Sequence, residues 1–204
     1  MSQHSIRFFD NQFATQVANA DFALNPFEQR VLPHLRGDVL DLGSGLGNLA
    51  LAAARRGCRV TALDASPNAI ARIRAEAADT GLAITAEVAD LRHYRIERPY
   101  DSIVCIGLLM FFQETQALAL LDAIHAGLPP GGIAALNVLT VGTTYLGMFE
   151  PGHFHLFEPG ALAERFGDWD VLEATHETFP APGDTLKAFD TLVVTRPAAM
   201  SGRE

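Results

Sequence analysis

Apolar and polar positions follow two rhythms along this chain. From Val39 onward, short apolar runs alternate with longer stretches in which apolar residues recur every three or four positions. Runs of the first kind predict buried strands and stretches of the second kind amphipathic helices. A strand is predicted over "DVLDLG" (38–43) and a helix over "GNLALAAARRG" (47–57), closed by Gly57. "CRVTALD" (58–64) is the second strand. "SPNAIARIRAEAADTG" (66–81) is a helix with Ser66 as N-cap, Pro67 at its first position and Gly81 at its end. "LAITAEVADL" (82–91) and "YDSIVCIGLLMFF" (100–112) are the third and fourth strands. The helix "QETQALALLDAIHAGL" (113–128) and the turn "PPGG" lead to a fifth, "IAALNVLTVG" (133–142). This βαβ alternation implies a parallel sheet covered by helices on both faces, a Rossmann-like doubly wound α/β fold.

The two ends depart from that rhythm. Residues 1–37 read as a helical cap rich in phenylalanine (Phe8, Phe9, Phe13, Phe22, Phe27) and broken at Asn25-Pro26. In the tail, "EPGALAERFG" (158–167) is a short helix. "WDVLEATHETF" (169–179) and "LKAFDTLVVTR" (186–196), joined by "PAPGD", predict an antiparallel hairpin at the sheet edge. One domain is expected over 1–204, with a core at 38–198.

Composition narrows the function. The chain has 204 residues, 49% hydrophobic and 19% charged, with a formal net charge of -9 and no Lys/Arg cluster, which argues against a nucleic-acid binder. Its two cysteines, Cys58 and Cys105, sit in or beside strand-like runs, as expected in a reducing compartment. No apolar run is long enough to span a bilayer, and "MSQHSIRFFDNQF" lacks a secretory core, so a cytoplasmic protein without membrane partners is expected, as monomer or homodimer.

The candidate chemistry centres on "VLDLGSGLGN" (39–48). In an open α/β sheet, ligands bind at the carboxyl ends of the strands, and glycines there let the backbone approach closely. A dinucleotide fingerprint would need a third glycine at Asn48, and a phosphate loop would need a lysine. Asp41 instead lies at the mouth of the turn, where it repels a pyrophosphate and attracts a cation. A ligand carboxylate could rest at the helix start near Gly47 and Asn48. Asp64 ends the second strand at the position that meets ribose hydroxyls, and Asp90 ends the third, where it could accept from an adenine amino group. S-adenosyl-L-methionine carries an ammonium, a ribose, an adenine and a sulfonium together. Taken singly, Asp64 also suits a helix cap and Asp90 a solvated loop.

The ordered segments "VLDLGSGLG", "VTALDASPNAI", "AEVADL", "YDSIVCIGLLMFF" and "LPPGGIAALNV" resemble the motifs of class I S-adenosylmethionine-dependent methyltransferases over about residues 8–196. From "LLMFF" through "HLFEPGALAERFGDWDVLEATHETF" to "LKAFDTLVVTR", the chain is similar to the TehB-like tellurite-resistance branch. The resemblance implies a seven-stranded, mainly parallel sheet and methyl transfer to a small soft acceptor such as a thiol, selenium or tellurium species. It implies cofactor contacts from Asp41, Gly43, Ser44, Gly45, Gly47, Asn48, Asp64, Ala65, Asp90, Leu91, Ile106 and Leu108. It also points to a histidine in the C-terminal part, His176; His155 and Tyr145, from the segment after the fifth strand, are further catalytic candidates. Glu177 and Asp184 stand where that branch carries basic residues.

The acceptor wall is expected from Leu108, Leu109, Met110 and Phe111, and from Thr143, Thr144, Tyr145, Met148, Phe149, His153, Phe154 and His155, with Phe9 and Phe13 as a lid or as ordinary core. His153 and His155 flank Phe154 on one face, with no third ligand near in sequence, so no metal is expected. Two other functions stay open: a non-catalytic ligand sensor or partner-binding module of the same fold, and an NAD(P)-dependent oxidoreductase, which Asp41 and Asn48 disfavour.

Overall fold

The predicted alternation is realised in the computed structural model, which describes residues 3–198; residues 1 and 2 of the expected cap and residues 199–204 lie outside the described region. Helices α1 (Gln3–Ala18) and α2 (Pro26–Val31) precede the sheet. Then follow β1 (Asp38–Leu42), α3 (Asn48–Arg55), β2 (Arg59–Asp64), α4 (Pro67–Thr80), β3 (Ile84–Val88), β4 (Ser102–Ile106), α5 (Glu114–Gly127), β5 (Ile133–Leu139), α6 (Ala161–Arg165), β6 (Asp170–Ala181) and β7 (Thr185–Thr195).

Local chemistry accounts for the helix ends. Ser66 caps α4 through its hydroxyl, which accepts from the Ala69 amide, and Pro67 stands at the start, where a missing N–H costs nothing. Gly81 closes the helix in the left-handed conformation at φ 66°. At α2, Asn25 and Glu28 form a reciprocal capping box, each side chain accepting from the other's backbone N–H.

The seven strands form one sheet in the order β3-β2-β1-β4-β5-β7-β6. Pairs among β1 to β5 are parallel, whereas β7 runs antiparallel to both β5 and β6. The strand order reverses at β1, which has β2 on one side and β4 on the other. That reversal opens a crevice at the carboxyl ends of these strands.

Two stretches differ from the sequence reading. The predicted fourth strand stops at Ile106. Gly107 takes φ +67°, and Leu109–Phe111 wind into a 3-10 turn, so this apolar run leaves the sheet and folds over its carboxyl end. A continuous apolar run does not distinguish strand from buried turn. The hairpin loop is also shorter than "PAPGD" implied: Pro180 and Ala181 still pair with Leu186 and Thr185. A proline is tolerated in an outer strand because one row of backbone groups has no ladder partner.

Alternation sorts side chains onto two faces. Leu40, Leu42, Ile103, Cys105, Leu136, Leu192 and Val194 join α5, Phe166 and Trp169 on one face. Val39, Val60, Ala62, Val104, Ile133, Ala135 and Val193 pack with α3 and α4 on the other. Asp41, Ile106, Asn137 and Phe189 keep the parity of this second set. They extend its face past the end of the apolar core, toward α1 and α2.

Candidate functional site

At that end of the second face lies a cavity of about 320 Å³, within the range of small-molecule sites. Its floor is the turn between β1 and α3. Gly43, Gly45 and Gly47 take φ of +77°, +52° and +76°, values that side-chain-bearing residues rarely adopt. Gly47 has a second reason to be glycine: a Cβ there would lie 2.4 Å from Ile73 Cγ1 of α4. The turn is tied to β2, for the Gly43 and Ser44 amides donate to the Leu63 carbonyl at 2.8 and 3.0 Å. The Gly45 amide donates to Asp64 Oδ2 at 2.9 Å, and the Ser66 amide donates to Asp64 Oδ1 at 2.8 Å. Asp64 therefore orients both the turn and the start of α4 while lining the cavity.

Asp41 is only 4% exposed and also lines the cavity. Among the described residues, no donor is hydrogen-bonded to its carboxylate. Burial, with the negative charges of Glu28 and Asp64 nearby, pushes its pKa up to about 8. Burial likewise raises Asp64 and Glu28. Two more polar atoms of the lining lack a partner, Ser44 Oγ and Asn137 Oδ1, although Asn137 Nδ2 donates to Thr191 Oγ1 at 2.9 Å. Buried polar groups are normally satisfied, so unmet ones aimed at one cavity mark where a polar ligand fits. The negative excess selects a ligand that brings donors and positive charge.

Helix α1 forms the roof. Phe8, Phe9 and Phe13 line the cavity, and Phe9 stands edge-on to Phe111 at 5.1 Å. The Phe13 ring lies 3.3 Å from where a Cβ of Gly45 would be. The helix is fastened by the Ser5 hydroxyl, which donates to the Met148 carbonyl at 3.1 Å, and by the Ser66 hydroxyl, which donates to Asp10 at 2.6 Å.

Nine of the predicted cofactor contacts line the cavity: Asp41, Gly43, Ser44, Gly45, Asn48, Asp64, Ala65, Ile106 and Leu108. Gly47 shapes the turn from behind. Leu91 borders a smaller cleft shared with Gly43, Asp64, Ala65, Leu108 and Phe112. Asp90 lies apart, with its side chain 48% exposed and ion-paired with Arg92, whose guanidinium holds its pKa down at about 2.

None of the three catalytic candidates lines the cavity. His176 Nδ1 lies 2.6 Å from Asp190 Oδ1, and Asp190 Oδ2 accepts from the Gly160 amide. Because His176 pairs with Asp190 while Glu177 pairs with Phe189, strand alternation turns the histidine to the sheet face opposite the cavity. Glu177, on the cavity side, is neutralised by Arg30 of α2 at 2.7 Å. The His155 ring stands edge-on to Phe157, and Tyr145 presents its ring to the Lys187 amine at 4.8 Å.

Of the expected acceptor wall, Leu108, Met110, Phe111 and Met148 line the cavity. Leu109 turns into the core, and Thr143, Thr144, Phe149, His153 and Phe154 lie outside the lining. No group of three potential metal ligands forms among the described residues. Sequence reasoning missed Glu28, Asn25, Phe27, Asn137, Lys187 and Phe189, all of which line the cavity. The capping pattern "NPFE" and the lone lysine were the available signals.

Residues 39–132 match the family described as "Methyltransferase domain". The chain is 29% identical to a ubiquinone biosynthesis O-methyltransferase of Xylella fastidiosa over 163 residues, covering 72% of this chain and 65% of that one. It thus spans less than two thirds of that relative. Among solved structures, it resembles TehB from Haemophilus influenzae with a TM-score of 0.73, at 22% identity, over 85% of this chain and 63% of that one. The N-methyltransferase NodS from Bradyrhizobium japonicum, solved with S-adenosyl-L-homocysteine, has a TM-score of 0.70 at 16% identity, covering 96% of this chain and all of that one.

Proposed function

We propose that the chain, whose residues 39–132 match a methyltransferase-domain family and whose sheet is Rossmann-like, transfers a methyl group from S-adenosyl-L-methionine to a small molecule. The observation that carries this reading is the buried, unmatched Asp41 carboxylate beside three left-handed glycines. A cationic, hydroxyl-rich ligand answers both the charge and the close backbone approach. Asp41, Ser44 and the turn from Gly43 to Gly47 are suited to the amino-acid end of the cofactor. Asp64 keeps lone pairs for ribose hydroxyls, and Ala65, Leu91 and Leu108 offer an apolar cleft for the base. When bound, S-adenosyl-L-methionine supplies an electrophilic methyl group.

The residues contribute by orientation and by excluding water. Phe9, Phe13 and Phe111 cover part of the cavity, and the water they exclude strengthens the polar contacts beneath them. No histidine lines the cavity among the described residues. Glu28, the carboxylate nearest the aromatic wall in sequence, is engaged in its capping box. A lining without a poised imidazole base favours an acceptor that is already a good nucleophile, such as a thiolate or another soft anion. The catalytic roles of His176, His155 and Tyr145 stay proposals that would require approach from outside the lining.

Isothermal titration with S-adenosyl-L-homocysteine tests the donor site. Wild type is expected to bind saturably, and Asp41→Ala and Asp64→Ala each at least tenfold more weakly. Wild-type affinity in both variants would overturn the assignment. Release of S-adenosyl-L-homocysteine over a panel of thiols, selenite, tellurite, phenols and amines then reads the acceptor class.

A further inference from the structure

Fourteen of the fifteen basic residues in this chain are arginines; the single lysine, Lys187, lines the cavity. It stands on β7 two residues before Phe189, so both face the same way. Phe189 packs on Phe27 of α2 at 4.7 Å between ring centroids, and Phe8, Leu139 and Met148 complete an apolar, aromatic end of the cavity. The turn and the Asp64 carboxylate line the same cavity.

Three carboxylates share the cavity with Lys187, yet none forms an ion pair with it. Glu28 is taken up by the Asn25 amide, and Asp64 by the Gly45 and Ser66 amides. Among the described residues, the Lys187 amine faces the Tyr145 ring and has no hydrogen-bonding partner. Burial alone displaces its pKa, downward, with no neighbouring charge acting to restore it. A half-buried ammonium without a counter-ion carries a desolvation cost that a bound anion would offset. Several surface arginines are ion-paired, as Arg55 with Glu76 and Arg59 with Asp38, whereas Lys187, the one cation of the cavity lining, has no ion pair among the described residues.

We propose that Lys187 binds an anionic group of the methyl acceptor, a small aromatic molecule whose rings pack against Phe27 and Phe189. The anion is either the ionised nucleophile or a carboxylate beside it. The proposal rests on the methyl-transfer reading for the word acceptor only; the anion site itself follows from the cavity.

Calorimetric titration of two matched probe pairs tests it: 4-chlorobenzoate against 4-chlorobenzamide, and thiophenol against its methyl thioether, above the pH at which thiophenol ionises. Each is titrated into the protein with and without S-adenosyl-L-homocysteine. The anion of at least one pair is expected to bind tenfold or more tighter than its neutral partner. That preference should vanish in Lys187→Met and return in part in Lys187→Arg, with thermal melting verifying that both variants are folded. Preference in the first pair alone assigns a carboxylate, and in the second alone the nucleophile itself. Equal binding within both pairs, no binding by any probe, or a preference that survives Lys187→Met overturns the proposal. Failure of S-adenosyl-L-homocysteine to bind while the preference persists would count against methyl transfer and leave the anion site standing.

Discussion

Asp41 is where the chemistry of the site concentrates on one residue. Its folded pKa, about 8, lies far above the ordinary carboxylate value. The sign follows from linkage: the unfolded chain releases this proton near pH 4, and the folded, ligand-free chain holds it until about pH 8. The contribution to stability is fully present below the unfolded value and is lost as pH rises through the folded one. Asp41→Asn is therefore expected to stabilise the ligand-free protein at pH 7, by about 2–4 kcal/mol from a shift of this size, and to change little at pH 4. Thermal melting of both proteins across that range checks it. A bound cation reverses the logic by favouring the charged form. Both S-adenosyl-L-homocysteine and the methylated donor carry the ammonium that Asp41 would meet, so the affinity of each is expected to rise as pH climbs from about 6 toward 8, and that rise is expected to vanish in Asp41→Asn. At this same scale Asp41, Asp64 and the glycines were legible in the sequence, because strand ends and left-handed turns have local signatures. The three histidine and tyrosine candidates were not placed by any local signal. Whether a side chain on an edge strand meets a cavity depends on parity, and one position decides between His176 and Glu177.

Among the elements, α1 is the one whose function depends on docking. Its contacts with the rest of the fold include Phe9 on Phe111, Phe8 against the Leu139 and Met148 cluster, Phe13 over Gly45, His4 on the Gly147 carbonyl, Ser5 on Met148 and Asp10 on Ser66. Such a contact set is small beside the ladders of the sheet, so α1 belongs to the low end of local stability. Phe9→Ala removes the edge-to-face ring pairs with Phe8 and Phe111 and part of the roof, at a cost of about 1–2 kcal/mol. Hydrogen exchange of the α1 amides is expected to quicken in that variant, and binding of S-adenosyl-L-homocysteine to slow it in wild type. Exchange indifferent to both would mean that α1 does not cover the ligand. The phenylalanine-rich pattern of this segment announced burial without saying what would be buried beneath it. A lid and a core helix present the same apolar stripe.

For the whole molecule, the sheet order sets both stability and access. β5 and β7 lie inside the sheet with partners on both sides, whereas β3 and β6 lie at its edges. Amides of β5 and β7 are expected to exchange last and those of β3 and β6 first, as native-state hydrogen exchange would show. β7 also completes the cavity: Lys187 and Phe189 line it together with the turn between β1 and α3, although roughly 140 residues separate them in sequence. No helix among the described residues is long and apolar enough to cross a membrane.

The alternation of apolar runs and amphipathic stretches was enough, by itself, to set the strand and helix order, the parallel sheet and the glycine turn with its two acidic neighbours. Those features rest on period, propensity and turn chemistry, which act within a few residues of chain. Folding in three dimensions decided the rest. It sent 108–112 out of the sheet, tied Asp90 to Arg92, turned His176 to the far face, and brought Glu28, Lys187 and Phe189 to one cavity. Each of these outcomes depends on which side of the sheet a residue faces and which distant element packs there, and contacts of that range leave no periodic trace in the sequence.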